Sequence, residues 1–445
     1  MKKFFLTLIA LGVVVLVAAL AFAFWPTHTR AIAGDVPADD KSLIEKGHYL
    51  ALASDCTACH SRPGGKPFEG GLPMATPLGT IYSSNITPDA DHGIGKYTLD
   101  QFDRALRHGI AADGSSLYPA MPFPSYARLS DDDVRALYAY FRHGGIEPSS
   151  RANQGTAIPW PLSMRWPLAI WRKLFAPDAD SVVFDPKAYP DEKIARGAYL
   201  VQGAGHCGSC HTPRGFALQE RTLDEKGGSY LSGGQVIDGW YAVNLRGNTA
   251  DGLGRWSEQD IVDTLRTARN AHSAVVGQPM ADVAVHSMQW LKDDDLHAIA
   301  AYLKTLPATA DDPSRFAPDD TTAKALQAGI NDSRGAEIYV DNCAACHRTD
   351  AEGYAHVFPT IAGNPTVLAD DPTTLVRLIL GGSHLPSTEK APSPLGMPGF
   401  AERLSDAEVA QVATFVRTGF GNHASAVTES QAAAARTSLR KAEAH

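Results

Sequence analysis

The sequence has no cysteine left over for a disulfide, no excess of basic residues and only one long apolar run. All six cysteines among its 445 residues fall in three Cys-x-x-Cys-His pentapeptides. The formal net charge of −9 argues against a nucleic-acid-binding protein, which needs a basic face to neutralise phosphates. No Gly-x-Gly-x-x-Gly follows a predicted strand, so a dinucleotide-binding domain is not expected either.

The apolar run extends from Phe4 to Trp25, directly after Lys2 and Lys3. As a helix it would span about 33 Å, close to the roughly 30 Å hydrocarbon core of a bilayer. The two lysines are expected to stay on the cytoplasmic side, so the rest of the chain is exported. The length favours a membrane anchor, although Ala21-Phe22-Ala23 is an acceptable cleavage site. We therefore assign residues 1–30 to a signal peptide or a membrane anchor.

The three pentapeptides end at His60, His211 and His347, at intervals of 151 and 136 residues. Each follows a short helical pattern with a glycine near its start and precedes a long loop rich in glycine and proline. Two helices close each repeat, with predicted N-caps that include Thr98, Ser257 and Ser405. Repeats one and two also share a block in which Asn85 or Asn244 lies eight residues before a Gly-x-Gly sequence. This repeated order predicts three mainly helical domains, at 40–147, 191–307 and 332–421.

The segments outside the repeats are predicted to be linkers at 148–190 and 308–331, and an Ala-rich, mobile tail at 422–445. The first linker has three tryptophans and three basic residues between Ile158 and Phe175. Such a stretch suits a membrane interface or a partner protein. A connector that packs against its own domains is the alternative.

A Cys-x-x-Cys-His sequence places two thiols within reach of the two vinyl groups of one porphyrin, with a histidine that approaches the iron. Structural zinc usually takes four ligands from paired knuckles, and three isolated knuckles pair badly. A thioredoxin-like dithiol would need a βαβ context, which the sequence lacks. We therefore predict three covalent haem c groups, attached at Cys56 and Cys59, at Cys207 and Cys210, and at Cys343 and Cys346. The proximal iron ligands are then His60, His211 and His347.

The sixth position of each iron is predicted to be held by a methionine between the last two helices of the repeat. Methionine ligation suits electron transfer rather than catalysis at the iron. Met121 and Met397 agree in context, since each precedes a proline and lies eight or seven residues before the last amphipathic segment. In repeat two Met280 is preferred. The alternatives there are Met288, His272 and His286.

Further residues are expected to support these ligands. Each proximal imidazole should donate its second N–H to a backbone carbonyl, and Pro359 is the candidate for His347. Arg62 and Arg214 are candidates for pairing with haem propionates, with a solvent-facing position as the alternative. The remaining histidines, such as His108, His143 and His384, are expected at the surface or in loops.

Three such units, an exported N-terminus and the blocks at 81–89 and 153–175 resemble the cytochrome c subunit of membrane-bound bacterial dehydrogenases. That family includes the triple-haem subunits of quinoprotein alcohol dehydrogenase and of flavin-dependent gluconate, sorbitol and fructose dehydrogenases. Similar subunits serve molybdenum-dependent aldehyde and nicotinate dehydrogenases. The resemblance covers residues 40–421 and implies three tandem class-I cytochrome c domains with the ligands named above. The family's Met-Ala-Glu-Val appears here as Met280-Ala-Asp-Val.

The resemblance implies an electron relay at the periplasmic face of the cytoplasmic membrane, anchored or peripherally bound. A separate catalytic subunit of the flavin, quinoprotein or molybdenum type would oxidise an alcohol, aldehyde or sugar. The electrons would pass through the haems to ubiquinone or a terminal oxidase, and this chain itself would not act on the organic substrate. Two alternatives stay open: a haem enzyme, such as a peroxidase or a sulfur-compound oxidase, and a free-standing periplasmic electron shuttle.

Overall fold

The computed structural model describes residues 1–34, 36–309 and 315–443. The chain divides into two compact units, one of Met1–Asp185 with Gln202–His206 and the other of Pro186–Val201 with Cys207–His445. Residues 310–314 of the predicted second linker and the last two residues of the predicted tail lie outside the described residues. In the described part the fold is mainly helical, with three short antiparallel strand pairs.

The first unit holds the N-terminal apolar segment, the first repeat and most of the first linker. Its helices are α1 Lys2–Phe24, α2 Lys41–Ala53, α3 Cys56–His60, α4 Leu99–His108, α5 Phe123–Tyr126, α6 Asp131–His143 and α7 Trp166–Phe175. One strand pair, β1 Pro73–Thr76 with β2 Gly79–Tyr82, lies in the loop after the pentapeptide. Buried aromatic side chains form its core, and the rings of Phe68 and Phe141 meet edge to face at 5.3 Å.

The second unit holds repeats two and three. The helices of repeat two are α8 Glu192–Tyr199, α9 Gly208–His211, α10 Glu258–Thr267, α11 Gln278–His286 and α12 Asp293–Thr305. Those that follow are α13 Thr321–Gln327, α14 Arg334–Asn342, α15 Ala344–His347, α16 Pro365–Leu368, α17 Thr373–Gly381, α18 Asp406–Thr418 and α19 Glu429–Glu443. The strand pairs are β3 Gln235–Ile237 with β4 Trp240–Ala242, and β5 Ser383–His384 with β6 Gly396–Met397. Short 3-10 or π turns lie at Pro186–Ala188, Leu200–Ala204 and Met288–Trp290.

The first and last long helices of each repeat cross at a glycine. A Cβ atom on Gly47 or Gly197 would lie 1.9 Å from a backbone carbonyl oxygen of the last helix, and one on Gly335 would lie 2.5 Å from such an oxygen. Only glycine lets two backbones approach this closely, which explains the glycine near the start of each predicted first helix. The pairs α2 with α6, α8 with α12, and α14 with α18 therefore form the frame of each repeat.

An ion pair accompanies each crossing. The residue before the glycine is basic and contacts an acidic residue in the first turn of the last helix, at 2.6, 2.7 and 2.6 Å in Lys46–Asp133, Arg196–Asp295 and Arg334–Glu408. In the last pair the Arg334 guanidinium and the Ser405 cap lower the pKa of Glu408 to about 2. In the first two pairs the carboxylate is buried while its basic partner is partly exposed, so each pair adds little net stability and packing at the glycines dominates the crossing.

Three of the predicted N-caps are present. Thr98, Ser257 and Ser405 each form a reciprocal capping box with the residue three positions later, at the start of α4, α10 and α18. At α17 the N-cap is Pro372, which has no side-chain cap, and Asp371 before it accepts the Thr373 N–H at 2.8 Å. These local signals are visible in the sequence because cap and partner lie within one helical turn.

The C-terminal segment differs from the predicted mobile tail. Residues Glu429–Glu443 form α19, and Ala432 and Leu439, seven positions apart on one face, pack against the core of repeat three. Arg436 on the same helix donates a hydrogen bond to the Leu404 carbonyl at 2.7 Å. An Ala-rich segment with so narrow an apolar stripe has a weak sequence signal, because its stability comes from tertiary packing.

The described part of the second predicted linker also differs from an open surface segment. Leu326 on α13 is 8% exposed and belongs to the core of repeat three. The Ala317 N–H donates to the Gly421 carbonyl at 2.9 Å. The acidic, proline-containing composition of this segment predicts a surface linker, whereas its seven-residue helix α13 packs on the third repeat.

Candidate functional site

Each pentapeptide forms a short helical turn directly after the first long helix of its repeat. These turns are α3, α9 and α15, and the motif histidine is the last residue of each. The six cysteines are free of disulfides and partly or fully exposed. Two thiols and one imidazole therefore lie together on every turn.

The three imidazoles share one hydrogen-bonding arrangement. Their Nδ1 atoms lie 2.7, 2.7 and 2.9 Å from backbone carbonyl oxygens, in the pairs His60–Ser84, His211–Val243 and His347–Pro359. A carbonyl oxygen only accepts, so Nδ1 carries the proton and Nε2 carries the lone pair. Burial lowers the pKa of all three imidazoles, which keeps them neutral. Each Nε2 is thus in the form that binds a metal ion, which fits axial ligation of a haem iron.

A glycine brings each acceptor carbonyl to its imidazole. Gly70, Gly233 and Gly353 have φ angles of +70°, +72° and +60°. They donate their N–H groups to the carbonyls of the three motif histidines at 2.7, 2.7 and 3.1 Å. A Cβ atom on these glycines would lie 2.4, 2.7 and 2.2 Å from backbone atoms of the segment that carries the acceptor. The left-handed backbone and the close approach both require glycine.

The predicted role of Pro359 is confirmed, whereas sequence analysis missed Ser84 and Val243. A backbone carbonyl has no side-chain signature of its own. The sequence feature that could have located these two carbonyls is the block shared by repeats one and two, because Ser84 and Val243 directly precede Asn85 and Asn244. The side-chain oxygens of these asparagines accept the N–H two residues later, at 2.9 and 2.8 Å. This Asx turn bends the chain just after the acceptor carbonyl.

In repeat three the predicted ligands line one cavity. Cys343, Cys346, His347 and Met397 all lie on its wall, and its empty space is about 1240 Å³ including its mouth. Much of the remaining wall is apolar, with side chains that include Ile361, Val367, Leu375, Leu378 and Ile379. A large apolar cavity that presents two thiols, an imidazole and a thioether fits a covalently attached haem.

Repeat two supplies part of the wall of this cavity. The residues that it contributes are Ser273, Ala274 and Val276. Two hydrogen bonds hold this segment on repeat three: the Thr360 N–H donates to the His272 carbonyl at 3.1 Å, and the Ser383 hydroxyl donates to the Val276 carbonyl at 2.8 Å. Met280 follows four residues later, so one segment joins the third cavity to the predicted ligand of repeat two.

The predicted methionines lie on three kinds of element. Met121 precedes α5, Met397 lies in β6, and Met280 lies in the first turn of α11 rather than in the expected loop. A proline in that turn favours the start of a helix there. These three side chains are partly exposed. Of the alternatives in repeat two, Met288 is 3% exposed in the interior, and two histidines are exposed, His272 and His286.

The two predicted propionate partners contact their own loops. The Arg62 Nε lies 3.0 Å from the Glu69 carboxylate, and the Arg214 Nε donates to the Gln235 side chain at 3.0 Å. Both arginines therefore brace the loop that follows their pentapeptide.

His143 and His384 are exposed, as predicted. The prediction for His108 is wrong, since this residue is only 6% exposed. His108 ends α4 beside Asp103 and Arg107, which are also buried. Three polar residues on the buried side of a helix reverse the pattern from which exposure is usually predicted.

A sequence model of the cytochrome c family matches residues 44–144, 194–307 and 333–420. These segments cover more than half of the chain, and each contains one pentapeptide. The chain belongs to the cytochrome c family. The predicted fold class is confirmed, with three cytochrome c segments in a mainly helical chain that begins with an apolar helix.

This cytochrome c is also similar over most of its length to cytochrome subunits of dehydrogenases. It is 52% identical over 420 residues to the gluconate 2-dehydrogenase cytochrome c subunit of Pantoea cypripedii, which covers 94% of this chain and 93% of that protein. It is 51% identical over 386 residues to the cytochrome c subunit of the alcohol dehydrogenase (quinone) of Gluconobacter oxydans strain 621H, covering 86% and 80%. It is 38% identical over 396 residues to the fructose dehydrogenase cytochrome subunit of Gluconobacter japonicus, covering 85% and 79%. The resemblance recognised in the sequence is confirmed.

Three covalently bound haem c groups follow from these findings, one for each family segment and its cysteine pair. The function of this cytochrome c is electron transfer through haem. The fixed tautomer of each motif histidine and the apolar cavity of repeat three agree with that cofactor.

Gly233→Ala is expected to loosen His211 in this cytochrome c. The new Cβ atom would overlap the Ala242 carbonyl oxygen at 2.7 Å and push the Val243 carbonyl away from the imidazole. Left-handed strain and overpacking together should lower the free energy of unfolding by about 2–5 kcal/mol. Denaturant unfolding would measure the loss of stability. The visible spectrum should show a change at one of the three haems, the one bound by His211. Gly234→Ala is the matched control, because it has φ +89° and no neighbouring atom closer than 3.9 Å. Equal losses in both variants would contradict the role of the close approach.

Proposed function

We propose that this chain is the electron-transfer subunit of a dehydrogenase complex at the outer face of the cytoplasmic membrane. A separate catalytic subunit of the flavin, quinoprotein or molybdenum type oxidises an alcohol, aldehyde or sugar, and ubiquinone or a terminal oxidase accepts the electrons. The observation that carries this proposal is the 52% identity, over 94% of the chain, to a gluconate 2-dehydrogenase cytochrome c subunit. That similarity spans all three repeats rather than one haem motif.

We assign the proximal iron ligands to His60, His211 and His347, and the sixth ligands to Met121, Met280 and Met397. The shared carbonyl-to-imidazole hydrogen bond supports the histidines. The partial exposure of the three methionine side chains, against the buried Met288, supports the methionines. When bound, each haem supplies reversible one-electron chemistry, and the task of these residues is to keep the iron closed to other ligands.

The proposed domain limits are 40–147, 191–307 and 332–421. They are supported by the matched family segments, each of which lies inside one of these ranges. Within the second unit, the segment from His272 to Met280 contacts the cavity of repeat three and carries the proposed sixth ligand of repeat two. We propose that this segment keeps the second and third sites in a fixed relation, which electron transfer between them requires.

The N-terminal helix α1 is long and apolar enough to cross a membrane, and most of its apolar stretch is exposed, except Ala23 near its end, which is buried. We propose that it is retained as an anchor. The Lys173 ammonium group, on α7, donates to the carbonyls of Phe22 and Trp25 at 2.7 Å each. This contact gives carbonyls at the end of the helix a charged donor and places a positive charge at the negative end of the helix dipole. Cleavage after Ala23 would remove the Phe22 acceptor, so the contact favours an uncleaved segment.

Exposed apolar side chains lie in the same unit, on the linker and just after α1. Trp25 is 70% exposed, Trp160 80%, Leu162 54% and Leu174 60%. Tryptophan is enriched where a protein meets the membrane surface, because its ring has an apolar body and a polar N–H. We propose that these residues lie at the interface between water and the outer face of the cytoplasmic membrane, beside the anchor.

Purification of the tagged full-length chain from membranes in mild detergent tests the proposed function. We expect a larger dehydrogenase subunit to co-purify. We also expect one of gluconate, ethanol or fructose to reduce the haems of the complex and a ubiquinone analogue. The matched control replaces residues 2–24 by a cleavable signal peptide, and it should keep the partner but move to the soluble fraction.

Two results would contradict these proposals separately. A monomeric preparation that lacks any dehydrogenase would rule out the subunit assignment. An intact mass that begins after Ala23 would rule out the retained anchor while leaving the electron-transfer role untouched.

A further inference from the structure

One histidine and two aspartates of the first unit form a cluster outside the sites described above. His108 is the last residue of α4, and Asp178 and Asp180 follow α7 in the first linker. Their candidate ligand atoms all lie within 4.8 Å of one another. Residues from two distant parts of the chain thus present an imidazole nitrogen and two carboxylates to one point.

Two atoms in this cluster are buried without a hydrogen bond. His108 is 6% exposed. Among the described residues its Nε2 has no hydrogen-bond partner, and neither does the Asp180 Oδ1. A buried polar atom without a partner costs about 1–3 kcal/mol, so two that face each other need an explanation.

The distances do not fit an ordinary ion pair. The His108 Nε2 lies 3.7 Å from the Asp180 Oδ1 and 3.8 Å from the Asp103 Oδ2. A protonated imidazole would approach a carboxylate to about 2.7–2.9 Å. Two ligands of one tetrahedral Zn²⁺ ion, each about 2.0–2.2 Å from the metal, lie roughly 3.3–3.6 Å apart. The separation of 3.7 Å between the His108 Nε2 and the Asp180 Oδ1 is closer to this spacing than to that of a hydrogen-bonded ion pair.

The two nearby arginines are paired with other aspartates, so the carboxylates of the cluster can still neutralise a cation. Arg107 contacts Asp103 and, at 3.0 Å, Asp131. The Arg30 guanidinium also contacts Asp131, at 2.9 Å. These two arginines and two aspartates balance one another. The Arg30 backbone N–H donates to the Asp180 Oδ2 at 2.7 Å, which leaves the Oδ1 for a metal ion.

We propose that His108, Asp178 and Asp180 bind one divalent cation that fastens the first linker to the end of α4. One imidazole with two carboxylates is a donor set suited to Zn²⁺, with water in the fourth position. Asp178 is exposed and provides the entry path for the ion. None of these three residues is a proposed haem ligand.

Zinc binding to the three-haem protein tests this proposal. The purified chain is treated with EDTA and titrated with Zn²⁺ in a calorimeter, with zinc and iron measured by elemental analysis. We expect one tight zinc equivalent per chain beside three irons. Asp178→Asn, at an exposed position, should weaken binding at least tenfold without affecting folding, and His108→Gln should do the same. His143→Gln, a change of an exposed histidine, is the matched control and should bind like the unmodified chain.

The visible spectrum of the three haems, recorded for every variant, shows that each one is folded and loaded. Zinc binding that is absent from the unmodified chain, or equal in Asp178→Asn and in the control, would overturn the site. Equal or tighter binding of Ca²⁺ or Mg²⁺ would overturn its assignment to zinc. None of these results bears on co-purification with a dehydrogenase, so failure here is distinguishable from failure of the proposed function.

Discussion

Replacing Met280 with alanine is expected to remove the methionine-to-iron absorption band from one haem in three. Methionine ligation raises a haem potential, and the choice of axial ligand is a major part of the roughly 0.8 V range over which proteins set it. The midpoint potential of that haem should therefore fall by on the order of 100 mV. Visible spectroscopy of the oxidised protein and a redox titration that resolves the three haems would measure both changes.

Met288→Ala is the matched control for this prediction. Met288 is 3% exposed, so its removal should destabilise the second unit by about 2–5 kcal/mol through the cavity left behind. It should leave the absorption band intact. A band that keeps its full intensity in Met280→Ala, or that loses intensity in Met288→Ala, would show that the sixth ligand of repeat two is another residue.

Gly197→Ala is expected to destabilise repeat two strongly, although alanine is the better helix former. The new Cβ atom would lie 1.9 Å from the Ala298 carbonyl oxygen and 2.5 Å from its carbon. Both are backbone atoms, so α8 and α12 must move apart. Alanine gains about 1 kcal/mol in helix propensity, but overpacking costs about 1–3 kcal/mol or more even for one extra methylene. Because backbone atoms cannot avoid the clash by a change of rotamer, the cost should reach the upper end of that range, and we expect a net loss of about 2 kcal/mol in the free energy of unfolding.

Guanidinium unfolding of the whole chain, followed by circular dichroism and by haem absorbance, would measure this loss. A chain with several domains unfolds in more than one step, so the midpoint to compare is that of the transition which the variant shifts. Gly228→Ala is the matched control in the same repeat, because a Cβ atom there meets nothing within 4 Å. A Gly197→Ala protein as stable as this control would mean that the crossing is not tightly packed.

Several features were predictable because their residues lie close together in the chain. The pentapeptides at His60, His211 and His347 predicted three haem c groups, and their repetition predicted three helical domains. The capping boxes were also predictable, since a cap and its partner are three residues apart. The recurring glycine before each pentapeptide was visible, but its reason, a helix crossing, was not.

Tertiary structure alone decided the features that depend on contacts between distant segments. The carbonyls of Ser84 and Val243 that orient two imidazoles carry no side-chain signal, and only folding brings them to their histidines. The Ala-rich tail becomes a helix because repeat three offers a surface for Ala432 and Leu439.

The sequence by itself thus determined that this cytochrome c binds haem c and that it has three attachment sites. The tertiary structure decided how each histidine is held and which polar groups are buried. His108 illustrates the second point, because its burial against the linker could not be deduced from its place at the end of an amphipathic helix. The physical reason is that covalent attachment and capping are local, whereas burial and hydrogen-bond partners arise from the packing of the whole unit.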